Sequence, residues 1–532
     1  MPAADRQPAT SLRAWQDRAL VAMRAWSSGP FVIAAAPGAG KTRPALVLAR
    51  ELLRAGVVRR VAVVCPTTPL TRQWARAAAR LGVHLAPDAS ELRPPRDFDG
   101  VAVTYARAAS AADRWSSHAT EATLVIADEA HHLGEDLAWG EGFARAFGRA
   151  GRWLLLSGTP FRSDQCAIPG VRYEDGVAVP DVSYSYADAV RDGICRPVTF
   201  VPYDGVLQWS SGDELVEASF VDALAAREAG RRYRTAISVE LADGLPRILA
   251  GAHERLEQVR AEGHRDAGGL VVAADGEHAR AVARVLRDVT GRAPTVVLHT
   301  EARAADKLHE FTRSRDPWIV AVNMVSEGVD IPRLRVGVYA TAAKTPLIFR
   351  QIVGRFVRTL PDRPRDERSW LYLPADPVLR AHAGEVEREL RHVLRPADDA
   401  DSEALDERPE RVETEPGEAD PFVPIAAEVA PQLALFGPPG GAAAPAAVGA
   451  TAPGAVAALD DEDELPAFER RARLRDKRHR LVADLRRSGG GSHAEINRWL
   501  NRSCGIRRVD DASLEQLERS IDLLLGRLSG RR

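Results

Sequence analysis

The chain has 532 residues, a formal net charge of −2 and four cysteines, Cys65, Cys166, Cys195 and Cys504. That length predicts several domains, each long enough for its own core, and the near-zero charge does not by itself announce a polyanionic partner. The scattered cysteines exclude a disulfide framework and a paired zinc spacing, which points to a reducing, cytoplasmic setting.

At the start of the chain, Met1 to Ser11 is polar and rich in Pro and Ala, unlike a signal peptide. No apolar run reaches the roughly 18 residues that a membrane span needs. Phe31-Val32-Ile33-Ala34 reads as a buried strand, and Leu46, Val47, Leu48, Leu52 and Leu53 continue as a helix. Between them lies Ala35-Ala36-Pro37-Gly38-Ala39-Gly40-Lys41-Thr42, a phosphate-loop pattern with Ala35 where Gly is common. Gly38 and Gly40 let the backbone N–H groups turn toward phosphate oxygens beside a positive helix N-terminus. Lys41 reaches the β- and γ-phosphates and the Thr42 hydroxyl holds magnesium, so Pro37 to Thr42 are the expected ATP-binding residues. Only four of the 72 Lys+Arg residues are lysine. A lysine kept here suits a slot that needs a compact ammonium in place of a planar fork.

Further strands are predicted at 61–65, 101–104, 123–127 and 152–157, alternating with helices as in a parallel α/β sheet. The strand Thr123 to Ala127 runs into Asp128-Glu129-Ala130-His131. Both carboxylates then emerge at a strand's C-terminal end, where open α/β sheets bind ligands. Asp128 is placed to hold magnesium through water, Glu129 to orient or deprotonate the attacking water, and His131 to couple nucleotide to nucleic acid.

Lobe one is expected over 1–165 and a connector over 166–245, with short strands and a charged helical stretch from Arg227 to Arg234. A second α/β alternation follows, over 246–395. Near its end Gln351, Arg355 and Arg358 form a catalytic group. The two arginines are three apart on a predicted helix and hence share a face, as arginine fingers would. ATP is expected between the Lys41, Asp128 and Glu129 wall and the two arginines. The 396–466 segment is acidic and dominated by Ala, Pro and Gly, so it reads as a disordered linker. In 467–532 bases exceed acids by about eight. Three helices are predicted there, the second opened by the capping box Ser492 to Glu495. This basic module is either an extra DNA contact on a tether or a solvated face on a small bundle.

Taken in order, these motifs resemble the superfamily 2 helicases and translocases with a DEAH-type acidic box, over roughly residues 10–375, in a branch that includes restriction-enzyme motor subunits and phage or repair helicases. The resemblance implies two RecA-like lobes in tandem, ATP and magnesium as cofactors, and DNA as the track, with RNA as the alternative. It also implies an adenine contact at Gln16 and strand-binding segments at Pro66, Thr67 and Gln73 and at Thr104. Coupling residues are implied at Ser157 and Thr159, and a ribose contact at Asp330. No nuclease motif accompanies them. Gln432-Leu433-Ala434-Leu435-Phe436 in the linker resembles the pentapeptide that docks bacterial proteins on the sliding clamp, with Gln432, Leu433, Leu435 and Phe436 as contacts; the other reading is an incidental apolar island. The sequence therefore reads as an ATP-dependent DNA helicase or double-strand translocase serving repair, replication or mobile-element DNA metabolism. An RNA helicase and a clamp-associated adaptor that uses ATP only as a switch are the competing readings.

Overall fold

The computed structural model describes residues 12–394 except 88, 136, 159–166, 175–176, 212–213, 299–300, 302, 323–330, 361–362 and 365–366, together with 422–432 and 465–529. By their contacts the described residues form two bodies. The first takes 12–35, 40–183 and 465–529; the second takes 36–39, 184–394 and 422–432.

In the first body the strands are β1 (Gly29–Ala35), β2 (Arg60–Cys65), β3 (Leu85–Ala86), β4 (Gly100–Thr104), β5 (Thr123–Asp128) and β6 (Arg152–Ser157), followed by β7 (Tyr173–Glu174), β8 (Val177–Ala178) and β9 (Val182–Tyr184). The sheet order is β3-β4-β2-β5-β6-β1-β9, with parallel pairing from β3 through to β1. Val61 to Cys65 and Leu124 to Ala127 are fully buried. That is why these strands are unbroken apolar runs: a parallel sheet is covered on both faces. Helices α1 (Ala14–Ala25), α2 (Thr42–Arg54) and α3 (Thr68–Ala79) belong to this body. One side of the core gathers Val64, Val103, Tyr105, Trp115, Val125, Phe143 and Phe147. Burying each of the large side chains contributes about 1.5–3 kcal/mol.

The second body contains β10 (Val198–Ser211), β11 (Glu214–Ala218), β12 (Gly268–Ala273), β13 (Thr295–Val297), β14 (Trp318–Ala321), β15 (Leu334–Ala340), β16 (Ser369–Pro374) and β17 (Phe422–Pro431). Its order is β11-β10-β16-β15-β12-β14-β13, with β17 paired to β10. Pairing is parallel from β10 through to β13, and β11 and β17 join β10 antiparallel. The fold is thus two parallel-sheet α/β lobes with a helical C-terminal region, as expected of tandem RecA-like lobes.

Three expectations about organisation change. First, the second lobe does not start at 246. β10 lies inside the supposed connector, yet it pairs with β16 from Val198 to Tyr203 and buries Phe200, Tyr203, Leu207 and Trp209. Pro202 and Gly205 within it look like turn residues in isolation, and the sheet overrides them. Second, the acidic 396–466 stretch is not featureless. Residues 422–431 form β17 against β10, with Ala427 and Val429 buried. The physical reason is an edge: the second half of β10 offers unpaired N–H and C=O groups, and a short apolar run satisfies them. Third, the C-terminal helices Ala467–Arg487, His493–Ser503 and Leu514–Ser529 are docked on the first body. Arg76 of α3 pairs with Glu469 at 2.7 Å, and the Arg471 guanidinium lies 4.9 Å from the Phe98 ring centroid. Asp97 accepts a 2.8 Å hydrogen bond from the Leu514 N–H, so a carboxylate of the lobe caps a helix of the module. The Ser492–Glu495 capping box is present.

A buried ionic cluster joins the elements of the second lobe. The Glu367 carboxylate accepts from His264 Nδ1 at 2.7 Å, Arg335 Nε at 2.9 Å and Arg363 Nη2 at 3.0 Å, and also from Arg196 Nη1. Arg196 and Arg335 have side chains only 1% and 0% exposed, so their charge has no access to water. Among the described residues, Glu367 is the carboxylate that neutralises them. Hydrogen bonds from His264 and Arg196 and the charge of Arg335 hold its carboxyl well below the usual range against the opposing effect of burial. Burial and mutual repulsion nevertheless push Arg335 down to about 9. The two sides respond unequally because one anion answers to several cations.

Among the described residues no helix is long and apolar enough to cross a membrane, and no group of three or more His, Cys, Asp or Glu residues could hold a metal ion. Cys65, Cys195 and Cys504 are buried.

Candidate ATP site

The loop after β1 has the backbone its glycines predict. Gly38 and Gly40 have φ of +84° and +88°, a region costly for any side chain with a Cβ. Gln16 of α1 grips this loop: its Nε2 donates to the Gly40 carbonyl at 2.9 Å, and its Oε1 accepts from the Arg13 N–H at 2.9 Å. Gln16 is buried, so both ends of the amide are committed to backbone. Lys41 Nζ donates to the Ala35 carbonyl at 3.2 Å and lies 3.7 Å from Glu129 Oε1. Thr42 is the first residue of α2.

The acidic pair sits where β5 ends. Asp128 is buried, and its Oδ2 accepts a 2.7 Å hydrogen bond from Trp74 Nε1 of α3. Its carbonyl accepts from the Tyr105 hydroxyl at 2.8 Å. Burial and the charge of Glu129 raise the Asp128 carboxyl to about 6, while Lys41 and the Trp74 bond pull the other way. Glu129 has φ +51°, the positive φ found at no other non-glycine residue among those described. Such a backbone costs on the order of 1–3 kcal/mol and is retained where it aims a side chain. Here it carries the carboxylate toward Lys41 and leaves Oε2 3.5 Å from His131 Nδ1. His131 Nδ1 and Ser157 Oγ are hydrogen-bonded at 3.0 Å, both buried, which joins the ends of β5 and β6. Thr159 and Asp330 lie outside the described residues.

The expected strand-binding residues divide. Pro66 is buried, Thr67 is the N-cap residue of α3 and Gln73 is exposed on that helix. The Thr104 hydroxyl accepts from the Arg107 N–H at 3.2 Å, so it caps the short helix Tyr105–Ser110.

In the second body, the helix Pro346–Phe356 carries Gln351 and Arg355 but ends before Arg358. The two arginines therefore do not share a helical face as expected. The chain leaves the helix because Arg358 forms an antiparallel bridge with Cys195 and its carbonyl accepts from Arg196 Nε at 2.5 Å. This body takes in Ala36–Ala39, and there Gly38 faces Arg358: a Cβ on Gly38 would lie 3.1 Å from Arg358 Nη1. A Cβ on Gly354 would lie 2.7 Å from Pro37 Cβ, so this approach needs glycine. Of Gln432, Leu433, Leu435 and Phe436, only Gln432 is described; it is exposed and its N–H donates to the Pro202 carbonyl at 2.8 Å.

Sequence reasoning missed Trp74 and Tyr105 as the groups that hold Asp128, and Arg196 with Glu367 as the brace behind Arg358. Trp74 stood beside Gln73 in a segment already singled out, and an indole N–H in an otherwise apolar helix stripe is the signal that could have found it.

Residues 9–162 match the family described as type III restriction enzyme, res subunit. The uncharacterized protein MT2985 of Mycobacterium tuberculosis (strain CDC 1551 / Oshkosh) is 39% identical over 561 residues, which cover 96% of this chain and 92% of that protein. The uncharacterized protein Rv2917 of strain ATCC 25618 / H37Rv is 44% identical over 422 residues, covering 77% of this chain and 69% of its own. Among solved structures, a fragment of a putative HsdR subunit of a type I restriction enzyme from Vibrio vulnificus YJ016 is similar, with a TM-score of 0.48 at 18% identity, covering 70% of this chain and 65% of that one. The chain belongs to the family of the mycobacterial protein MT2985, and its residues 9–162 match the model of the type III restriction enzyme res subunit.

Proposed function

We propose that the chain is a cytoplasmic motor that couples magnesium-ATP hydrolysis to movement on DNA, as a helicase or a double-strand translocase. The observation that carries the reading is the Lys41–Glu129–Asp128 arrangement, in which a strained backbone at Glu129 aims its carboxylate at the end of β5. In this reading Gln16 contacts adenine, Lys41 compensates the β- and γ-phosphates, and Glu129 accepts the proton of the attacking water. Arg355 and Arg358, with Gln351, stabilise charge on the phosphoryl group, and the approach of Arg358 to Gly38 supports that role. The Thr42 hydroxyl and the Asp128 carboxylate are hard oxygen donors of the kind magnesium takes alongside phosphates and water, and they would hold it. When bound, magnesium neutralises the phosphate oxygens.

The His131–Ser157 bond ties the acidic box to the end of β6, a route by which nucleotide state could reach the Pro66–Gln73 and Thr104 segments. The match to a restriction-enzyme subunit supports DNA over RNA as the track. The sliding clamp is the proposed partner of Gln432–Phe436 on the strength of its resemblance alone. Titration of a clamp with the wild-type and Leu435→Ala/Phe436→Ala peptides tests it, and equal binding by both removes it.

ATPase rates with single-stranded, duplex and forked DNA and with RNA, each with and without magnesium, test the motor reading. Strong stimulation by DNA that requires magnesium is expected. Stronger stimulation by RNA would select the RNA-helicase alternative, and hydrolysis indifferent to every nucleic acid would overturn the motor.

A further inference from the structure

We propose that the outward face of the helix Ala467–Arg487 is a contact surface for a nucleic-acid backbone, continuing from α3. The inference rests on the motor reading and adds a second surface to it. Arg471, Arg478, Val482 and Leu485 face inward and are buried. Glu469, Arg473, Lys477 and Arg480 fall at i, i+4, i+8 and i+11, which puts them on the opposite face. Arg473, Lys477 and Arg480 are exposed, and among the described residues none of them has an acidic partner. Their neighbours are matched differently: Arg470 pairs with Glu518 at 3.3 Å, and Arg475 and Arg487 pair with Asp510 and Asp484. Three of the helix's unmatched exposed bases are therefore concentrated in one line, with Arg486 apart from it.

That line has a direction. Glu469, on the same face one turn before Arg473, is bonded to Arg76 of α3 at 2.7 Å. Helix α3 begins at Thr68 and carries exposed Gln73 one turn from Arg76, so the basic line begins one turn beyond a contact with the helix that holds the expected strand-binding segment. From Arg473 to Arg480 the helix rises about 10 Å, or about three nucleotide steps along one DNA strand. Three cations at that spacing, on a helix held against the motor lobe by the Asp97, Phe98 and Arg76 contacts, suit phosphates better than an acidic protein loop. The module is then a fixed extension of the track.

The test is the full-length triple variant Arg473→Gln/Lys477→Gln/Arg480→Gln. Binding of a labelled DNA duplex and of a labelled single strand is titrated across salt, together with ATPase rates. Loss of three phosphate contacts should make the slope of log K against log salt shallower by about 2–3. The DNA concentration for half-maximal ATPase should rise, and the rate without DNA should stay at the wild-type value. If wild type binds and is stimulated by DNA while the variant keeps the wild-type slope, this inference alone falls and the stripe belongs to some other partner. If wild type neither binds nor responds to any nucleic acid, the motor reading falls and takes this inference with it.

Discussion

Glu367→Gln removes the negative charge at the centre of the buried ionic cluster while keeping the side chain's size. The carboxylate accepts hydrogen bonds from four residues, Arg196, His264, Arg335 and Arg363. Two of those guanidiniums have 0–1% exposure, so the variant leaves buried cations without their counter-ion. Breaking a buried pair from one side costs about 3–5 kcal/mol, which corresponds to roughly a hundred- to several-thousand-fold shift in a local opening equilibrium. The pH dependence has a definite sign. Because the folded carboxyl is held below its ordinary value of about 4.3, the stabilisation is complete above that value and is lost as pH falls toward the folded value. The gap between wild type and variant should therefore be widest near pH 7 and shrink below about pH 4. Hydrogen exchange of the β12, β15 and β16 amides, compared with wild type at pH 7 and at pH 3, reads this directly. An excess under tenfold at pH 7, or an equal excess at both pH values, would refute the argument. Since Arg196 also holds the Arg358 carbonyl, the same variant should lower kcat more than it changes the KM for ATP.

Glu129→Gln should bind ATP nearly as tightly as wild type and hydrolyse it at a small fraction of the rate; wild-type turnover would remove Glu129 as the base. Trp74→Phe keeps the buried ring but takes the donor from Asp128 Oδ2, an interaction of about 1.5–3 kcal/mol, and should weaken magnesium-dependent activation about tenfold or more. A magnesium titration of the ATPase rate checks it, and an unchanged midpoint would mean that the indole only packs. Arg358→Ala should cut kcat by orders of magnitude with little change in DNA affinity, measured by steady-state kinetics beside a binding titration. A loss confined to DNA affinity would reassign the residue.

The parts of the site that were legible in the sequence are those whose chemistry is local. A phosphate-loop pattern needs two glycines, a lysine and a threonine within one strand–loop–helix, so Gly38, Gly40, Lys41 and Thr42 could be read as candidates in a single window, and the positive φ of both glycines was legible with them. The strands ending at Asp128 and Ser157 were legible for the same reason: a strand buried on both faces leaves an unbroken apolar run. Arg358 was misplaced by only a little, because nothing before it stops the helix and the Cys195 bridge that ends it comes from far along the chain. β17 was hidden by averaging, since ten residues with an apolar alternation vanish into a stretch dominated by Pro, Ala and acid.

By itself the sequence determined the chemistry on offer: a phosphate loop, an acidic box, a pair of arginines and a basic C-terminal module. Tertiary structure decided which groups serve one another. The Trp74–Asp128 bond spans 54 positions, Arg196–Glu367 spans 171 and Arg76–Glu469 spans 393. No periodicity reaches across such separations. Partners so far apart are selected by which strand edges lack a neighbour and which buried charges lack a counter-ion, and those needs exist only once the sheets have formed.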